Sequence, residues 1–317
     1  MKIKLYIYVE KTDENCNTMT NNRTPSVAYM ESNGWACVKM SDCFDLEQYV
    51  KKNNIQIHVC LILCDPHWIF THNNLDYLYK STFYKLIFEG DLHKIKERNN
   101  IKSDEIHKKY ISMTNLYVLA NYWYCYSKFY PDVSQKSILP YPHAIHNDYH
   151  IAFNNSPKNN ILLSGSCTGS YPARRKVKNM AQSNQRIHIL THKDKIYQKK
   201  YIEYMNQYLC CFTCCSNEYT PYLIGKFFEI PASGSLLLAY DKYIIEQLKN
   251  LGFIEGENYI SCELWNIEAK IDFILNPRNR KEIDRIRKNG YELVWKKHTL
   301  NNRMKDIEKF ILKTCFN

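Results

Sequence analysis

Two hydrophobic periods take turns along this chain. Ile3-Lys4-Leu5-Tyr6-Ile7-Tyr8-Val9 alternates every second residue, which predicts a strand. His58-Val59-Cys60-Leu61-Ile62-Leu63-Cys64 is a nearly continuous apolar run closed by Asp65-Pro66, the pattern of a strand buried on both faces. Tyr84 to Glu89 repeats it and runs out at Gly90-Asp91-Leu92-His93. Between them lie helical stretches, one capped by Asp45 and running to about Asn53, another from Leu75 to Thr82. Residues 11–34, with Asn, Thr and Pro25, read as a loop. Strands separated by helices predict a parallel α/β architecture.

The pattern breaks at residues 140–160, where Pro140, Pro142 and Pro157 mark a connector, and then restarts. Strands are predicted over 160–166, 187–190, 209–215, 235–239 and 258–261. Helices are predicted over 174–181, 197–208, 222–228, 243–251, 267–275, 280–295 and 301–313. At 317 residues the chain has room for two such α/β units, each with its own core.

Composition sharpens this picture. Hydrophobic residues make up 45 %, too many for a disordered chain. A net charge of +11 admits nucleic acid, an acidic membrane surface or anionic small substrates as partners. The densest basic runs, Arg174-Arg175-Lys176-Val177-Lys178 and Arg278 to Lys288, read first as solvated faces. The 13 cysteines sit inside apolar strand patterns and no signal-peptide core follows Met1-Lys2-Ile3-Lys4, so a reducing, cytoplasmic setting is expected. Cys210-Cys211-Phe212-Thr213-Cys214-Cys215 reads as buried strand rather than a zinc site. No apolar stretch nears the length of a membrane span.

Three constellations are chemically suggestive. Gly165-Ser166-Cys167-Thr168-Gly169-Ser170 follows a strand and leads to Arg174 and Arg175, so backbone N–H groups and guanidinium charge can meet an anion there. Its spacing fits neither the P-loop nor the dinucleotide fingerprint. Lys226-Phe227-Phe228-Glu229-Ile230-Pro231-Ala232-Ser233-Gly234-Ser235 reads as a helix that Pro231 stops, a small-residue turn and a strand, with Glu229 at the mouth of the turn. A carboxylate so placed can accept hydrogen bonds from ribose, although a plain Lys226–Glu229 surface pair has the same spacing. Asp91 and His93, two apart at a strand tip, can bind a sugar hydroxyl or move a proton, or simply cap a turn. His143, His146 and His150 lie in the connector, a poor frame for a metal, and no metal is expected.

The segments Ile161–Lys176, Lys226–Asp241, Leu251–Tyr259, Leu275-Asn276-Pro277 and Gly290–Arg303 together resemble the C-terminal half of the spore-maturation-type glycosyltransferases, within the GT-B group of glycosyltransferases. The first half matches only in its Asp-x-His tip and in Leu139-Pro140-Tyr141-Pro142. The resemblance implies two Rossmann-like parallel-sheet domains facing across a cleft. An acceptor-side domain would span 1–152, completed by a terminal helix at 300–317, and a donor-side domain 153–299. It implies hexosyltransferase-like, retaining and metal-independent transfer from a nucleotide-diphosphate sugar, by default a UDP-sugar, to a glycan, lipid or protein acceptor, with no further cofactor. By position, Glu229 would hold the ribose; Gly165, Ser166 and Arg174 would flank the diphosphate; Ser233, Gly234 and Ser235 would offer N–H groups; Lys226 would be a second cation; and His93 would touch the sugar. Pro221 stands where many relatives carry a second glutamate, with Glu218 three residues before it, and Ser166 stands where some carry arginine. Alternatives are a sugar-nucleotide epimerase of the same architecture, or an inactive sugar- or nucleic-acid-binding protein.

Overall fold

The computed structural model describes residues 3–8, 24–43, 45–63, 75–92, 107–167, 171–190, 194 and 196–315. They form two compact units, one holding the described residues up to Pro142 together with Arg303 onward, the other His143–Asn302.

The first unit is a six-stranded parallel sheet: β1 (Ile3–Tyr8), β2 (Trp35–Lys39), β3 (Ile57–Ile62), β4 (Tyr84–Glu89), β5 (Leu116–Ala120) and β6 (Ile138–Pro140), in the order β2-β1-β3-β4-β5-β6. Helices α1 (Val27–Ser32), α2 (Leu46–Lys52), α3 (Leu75–Lys80) and α4 (Tyr126–Phe129) lie in its connections. Asp45 caps α2, accepting from the Gln48 N–H at 2.9 Å. The segment expected to be loop holds α1, whose N-cap is Ser26 directly after Pro25. The entry signal is Ser26, whose Oγ accepts from the Tyr29 N–H at 3.3 Å. Pro140 is tolerated because β6 is an edge strand.

One face of this sheet is covered by the chain's own end. Met304, Ile307 and Ile311 pack with Tyr6, Leu61, Leu86, Phe88 and Leu119 in a single core. Arg303, almost wholly buried, donates from Nε to the Pro142 carbonyl at 3.0 Å, and burial draws its pKa down to about 10. The unit boundary falls at 142/143, ten residues before the expected 152/153. Connector residues pack on the second unit instead: the Ile145 N–H donates to His298 O at 2.9 Å, and Tyr291 OH donates to Ile151 O at 2.7 Å.

Lys85 is a fully buried lysine in β4, donating to Ser81 O at 2.7 Å and Thr114 O at 2.9 Å. Burial lowers its pKa to about 8. An unfolded lysine keeps its proton to about pH 10.4. Between those values the unfolded chain holds the extra proton, so this group makes stability rise with pH. Wild type should gain on Lys85→Met in melting temperature from pH 7 to 9.5. A gap that stays constant would refute this.

The second unit is a five-stranded parallel sheet: β7 (Lys158–Ser164), β8 (Ile187–Leu190), β9 (Tyr208–Cys214), β10 (Leu236–Tyr240) and β11 (Ile260–Ser261), in the order β11-β10-β9-β7-β8. Its helices are α5 (Pro172–Met180), α6 (Gln198–Met205), α7 (Lys226–Ala232), α8 (Ile245–Asn250), α9 (Ile267–Leu275) and α10 (Arg280–Lys297), before the terminal α11 (Leu300–Thr314). Cysteines 210, 211 and 214 lie in the buried core strand β9, and burial raises the Cys214 thiol to about 11 and the Cys211 thiol to about 12. The helix α10 approaches closely because residue 290 is glycine: a Cβ there would stand 2.6 Å from the Asn258 carbonyl oxygen and 3.3 Å from Pro231 Cβ.

Candidate functional site

Parallel strands place all their carboxyl ends on one edge of a sheet, where ligands of open α/β sheets collect. In the second unit the residues arriving there are Ser164 and Gly165 from β7, Thr213 from β9 and Asp241 from β10. Ser164 and Thr213 each lie one position beyond the paired Leu163 and Phe212, so they are neighbours across the ladder. Arg174 reaches this edge from the first turn of α5, and Lys226 from the start of α7.

Gly165 is the focus. Its φ of +93° suits glycine and strains other residues. A Cβ there would meet Lys226 Cε at 2.8 Å and Arg174 Nη1 at 3.2 Å, so the two cations converge on this bare backbone. Both are buried, Arg174 to 2 % exposure and Lys226 to 7 %. Arg174 donates from Nη1 to Ser166 O at 3.1 Å and from Nη2 to Thr213 Oγ1 at 3.2 Å, with its guanidinium 4.2 Å from the Tyr171 ring centre. Its Nε is buried with no hydrogen-bond partner among the described residues. Lys226 Nζ donates to Ser164 Oγ at 3.3 Å and to Tyr201 OH. Among the described residues neither cation has a carboxylate within ion-pair distance. Buried charge of this kind is costly until an anion meets it.

Glu229 lies in the first turn of α7, 8 % exposed. Its Oε1 and the Nδ1 of buried His143 stand 3.5 and 3.7 Å from where a Gly225 Cβ would be, so carboxylate and imidazole face the same small space. The three connector histidines diverge: His146 Nδ1 accepts from the Asp148 N–H at 3.2 Å, and His150 lies 3.0 Å from Tyr291 OH. Among the described residues no group of three or more metal-ligating side chains forms.

Several expectations change. Pro231 does not stop α7, which continues to Ala232 with every residue buried. Ser233, Gly234 and Ser235 follow the carboxyl end of α7 and precede the amino end of β10, the sheet edge opposite to Gly165. Their N–H groups are used internally, on Glu229 O, Pro231 O and Ser233 Oγ. They are not anion donors. Arg175 and Lys176 are exposed, whereas Arg174 turns inward. Arg287, from the second basic run, is 1 % exposed and donates to Gly234 O at 3.0 Å and Asn154 O at 3.1 Å, so that run is not wholly a solvated face.

In the first unit Asp91 follows β4, partly exposed, and His93 lies outside the described residues. Just before Asp91, buried Glu89 accepts from Tyr126 OH at 2.5 Å, with His107 Nδ1 3.4 Å from its other oxygen. Sequence reading missed this cluster, as it missed Ser164, Thr213 and Tyr201.

Residues 150–309, half of the chain, match the family model described as glycosyl transferase-like. The chain belongs to this glycosyl transferase-like family. Sequence comparison finds no match among curated proteins. In fold the chain is similar to Anabaena Alr3699/HepE, solved with UDP-glucose, at a TM-score of 0.65 and 8 % identity over 98 % of this chain and 100 % of that one. It is also similar to sucrose-phosphate synthase (tll1590) from Thermosynechococcus elongatus, at 0.57 and 10 % over 99 % of each chain. A third likeness is a putative UDP-N-acetylglucosamine 2-epimerase from Listeria monocytogenes, at 0.54 and 11 % over 99 % of this chain and 98 % of that one. The two parallel-sheet units thus have the GT-B fold of this glycosyl transferase-like family. Among the described residues no helix is long and apolar enough to cross a membrane.

Proposed function

We propose that the chain transfers a hexose from a nucleoside-diphosphate donor, a UDP-sugar, to an acceptor hydroxyl, with retention and without a metal ion. The observation that carries this is the convergence of buried Arg174 and Lys226 on Gly165 at the carboxyl end of β7. As the bond from the sugar to the diphosphate breaks, negative charge grows on the departing phosphate. Preorganised cations aimed at that charge are usually the largest catalytic contribution, about 3 kcal/mol for one donor. Arg174 and Lys226 supply in fixed charge what a divalent ion would otherwise supply.

Glu229, facing the space above Gly225 with His143, accepts the ribose hydroxyls. Ser166 contributes through its carbonyl, which holds Arg174 in place. His93 touches the donor sugar, as the resemblance implies, and Asp91 beside it holds a sugar hydroxyl or moves a proton. Retention, by attack from the face that the leaving group vacates, follows the resemblance to the spore-maturation-type relatives.

A thermal-shift panel of nucleotide sugars tests the reading. A ligand at a hundred times its dissociation constant adds about 2.7 kcal/mol of stability. UDP-sugars should raise the melting temperature while free sugars do not. Stabilisation by no nucleotide sugar would overturn the proposal, and donor consumed without an acceptor would point to an epimerase.

A further inference from the structure

Lys226 does not approach Gly165 unsupported. Ser164 Oγ and Tyr201 OH are 2.5 Å apart and the Lys226 ammonium donates to both, so three polar groups close a triangle beside Gly165. They come from three separate places, the end of β7, the middle of α6 and the start of α7. An ammonium has three donors. Two are engaged here among the described residues, and the third remains for an anion.

The chemistry of the partners matters. A carboxylate in this position would orient the ammonium but also cancel its charge. Two neutral hydroxyls fix its direction and leave the charge available to the ligand. A lysine stem is flexible, so an unsupported ammonium would lose rotamer freedom at the moment the anion bound.

We propose that Tyr201, together with Ser164, is a positioning residue that holds the Lys226 ammonium beside Gly165 for the diphosphate. This rests on the glycosyltransferase reading only in naming the anion as the donor's diphosphate. Tyr201 acts through Lys226 and not through the substrate. Tyr201→Phe keeps the ring that packs in the fold and removes only the hydroxyl.

The test is a double-mutant cycle of Tyr201→Phe and Lys226→Met, read by titration calorimetry with UDP and, separately, inorganic pyrophosphate. Tyr201→Phe should weaken both ligands about tenfold, as expected for a lost hydrogen bond to a charged group. In the Lys226→Met background the same change should be silent. Equal losses in both backgrounds, or no loss in either, would overturn the inference. A wild type that binds pyrophosphate but no nucleotide sugar would defeat the glycosyltransferase reading alone, with the cycle still decided on pyrophosphate. Binding of neither ligand would defeat both. Should Tyr201→Phe fail to fold, Ser164→Ala removes the other hydroxyl and is read in the same cycle.

Discussion

Glu229→Ala is expected to weaken UDP binding by about a hundredfold or more. The carboxylate is 8 % exposed, and its Oε1 stands with His143 Nδ1 beside Gly225, 3.5 and 3.7 Å from where a Cβ would be. A ribose offers two neighbouring hydroxyls, and a carboxylate accepts both at once. Each charge-assisted hydrogen bond contributes about 1.5–3 kcal/mol. Two give roughly 3–6 kcal/mol, and each 1.4 kcal/mol is tenfold in affinity. The loss should be specific to the nucleoside. Inorganic pyrophosphate, assigned to Arg174 and Lys226 under the proposal, should bind the variant as it binds wild type. Glu229→Gln, which keeps shape and one acceptor oxygen, should fall between. Titration calorimetry of UDP and pyrophosphate against the three proteins separates these outcomes. An unchanged UDP affinity in Glu229→Ala would remove the ribose assignment altogether.

The fold was legible where one period dominated. Leu236 to Ala239 is apolar at every position because β10 has neighbours on both edges and is buried throughout. The predicted helix 267–275 coincides with α9, and the predicted strand 187–190 with β8. Around Pro231 local propensity points to a helix end that the tertiary fold overrides. A proline in the last turn costs a donor and crowds the preceding residue. Here complete burial of α7, with Trp295 Nε1 donating to Ala232 O at 3.0 Å, outweighs that cost. Chain direction separates the two turns as well. In a parallel α/β unit a turn leading from helix to strand lies at the amino end of the strand, away from the ligand edge. Only a turn leaving a strand, such as Gly165-Ser166, lies at the ligand edge. That distinction is legible in the order of helix and strand along the sequence, and it separates Gly165 from Gly234.

Other parts of the site had no local signal. Ser164 and Tyr201 are 37 positions apart, and Ser164 and Lys226 are 62 apart. Neither Tyr201 nor Ser164 differs in kind from the chain's many other tyrosines and serines. Arg174 and Arg175 are adjacent and chemically equal. The helical period alone turns the first into the core beside Ala173 and Val177 and the second into solvent. The Glu89–His107–Tyr126 cluster is likewise assembled by the tertiary fold, from a strand end and two later segments.

Gly165→Ala concentrates these arguments in one methyl group, and it is expected to cost both stability and ligand. At φ +93° an L-residue is held outside its ordinary regions, which costs about 1–3 kcal/mol. The added carbon would stand 2.8 Å from Lys226 Cε and 3.2 Å from Arg174 Nη1. The atoms it meets are the far ends of two long side chains, so these give way first. Lys226 would swing away from Ser164 and Tyr201, and Arg174 would lose its alignment with Ser166 O and Thr213. Both cations then leave the proposed diphosphate site. A drop of at least about tenfold in UDP affinity should accompany a lower melting temperature, because losing even one charged hydrogen bond is worth that much. Pyrophosphate should weaken in parallel with UDP, the opposite of the Glu229→Ala pattern. A Gly165→Ala protein that melts lower yet binds UDP and pyrophosphate normally would show that the two cations converge on Gly165 for packing alone.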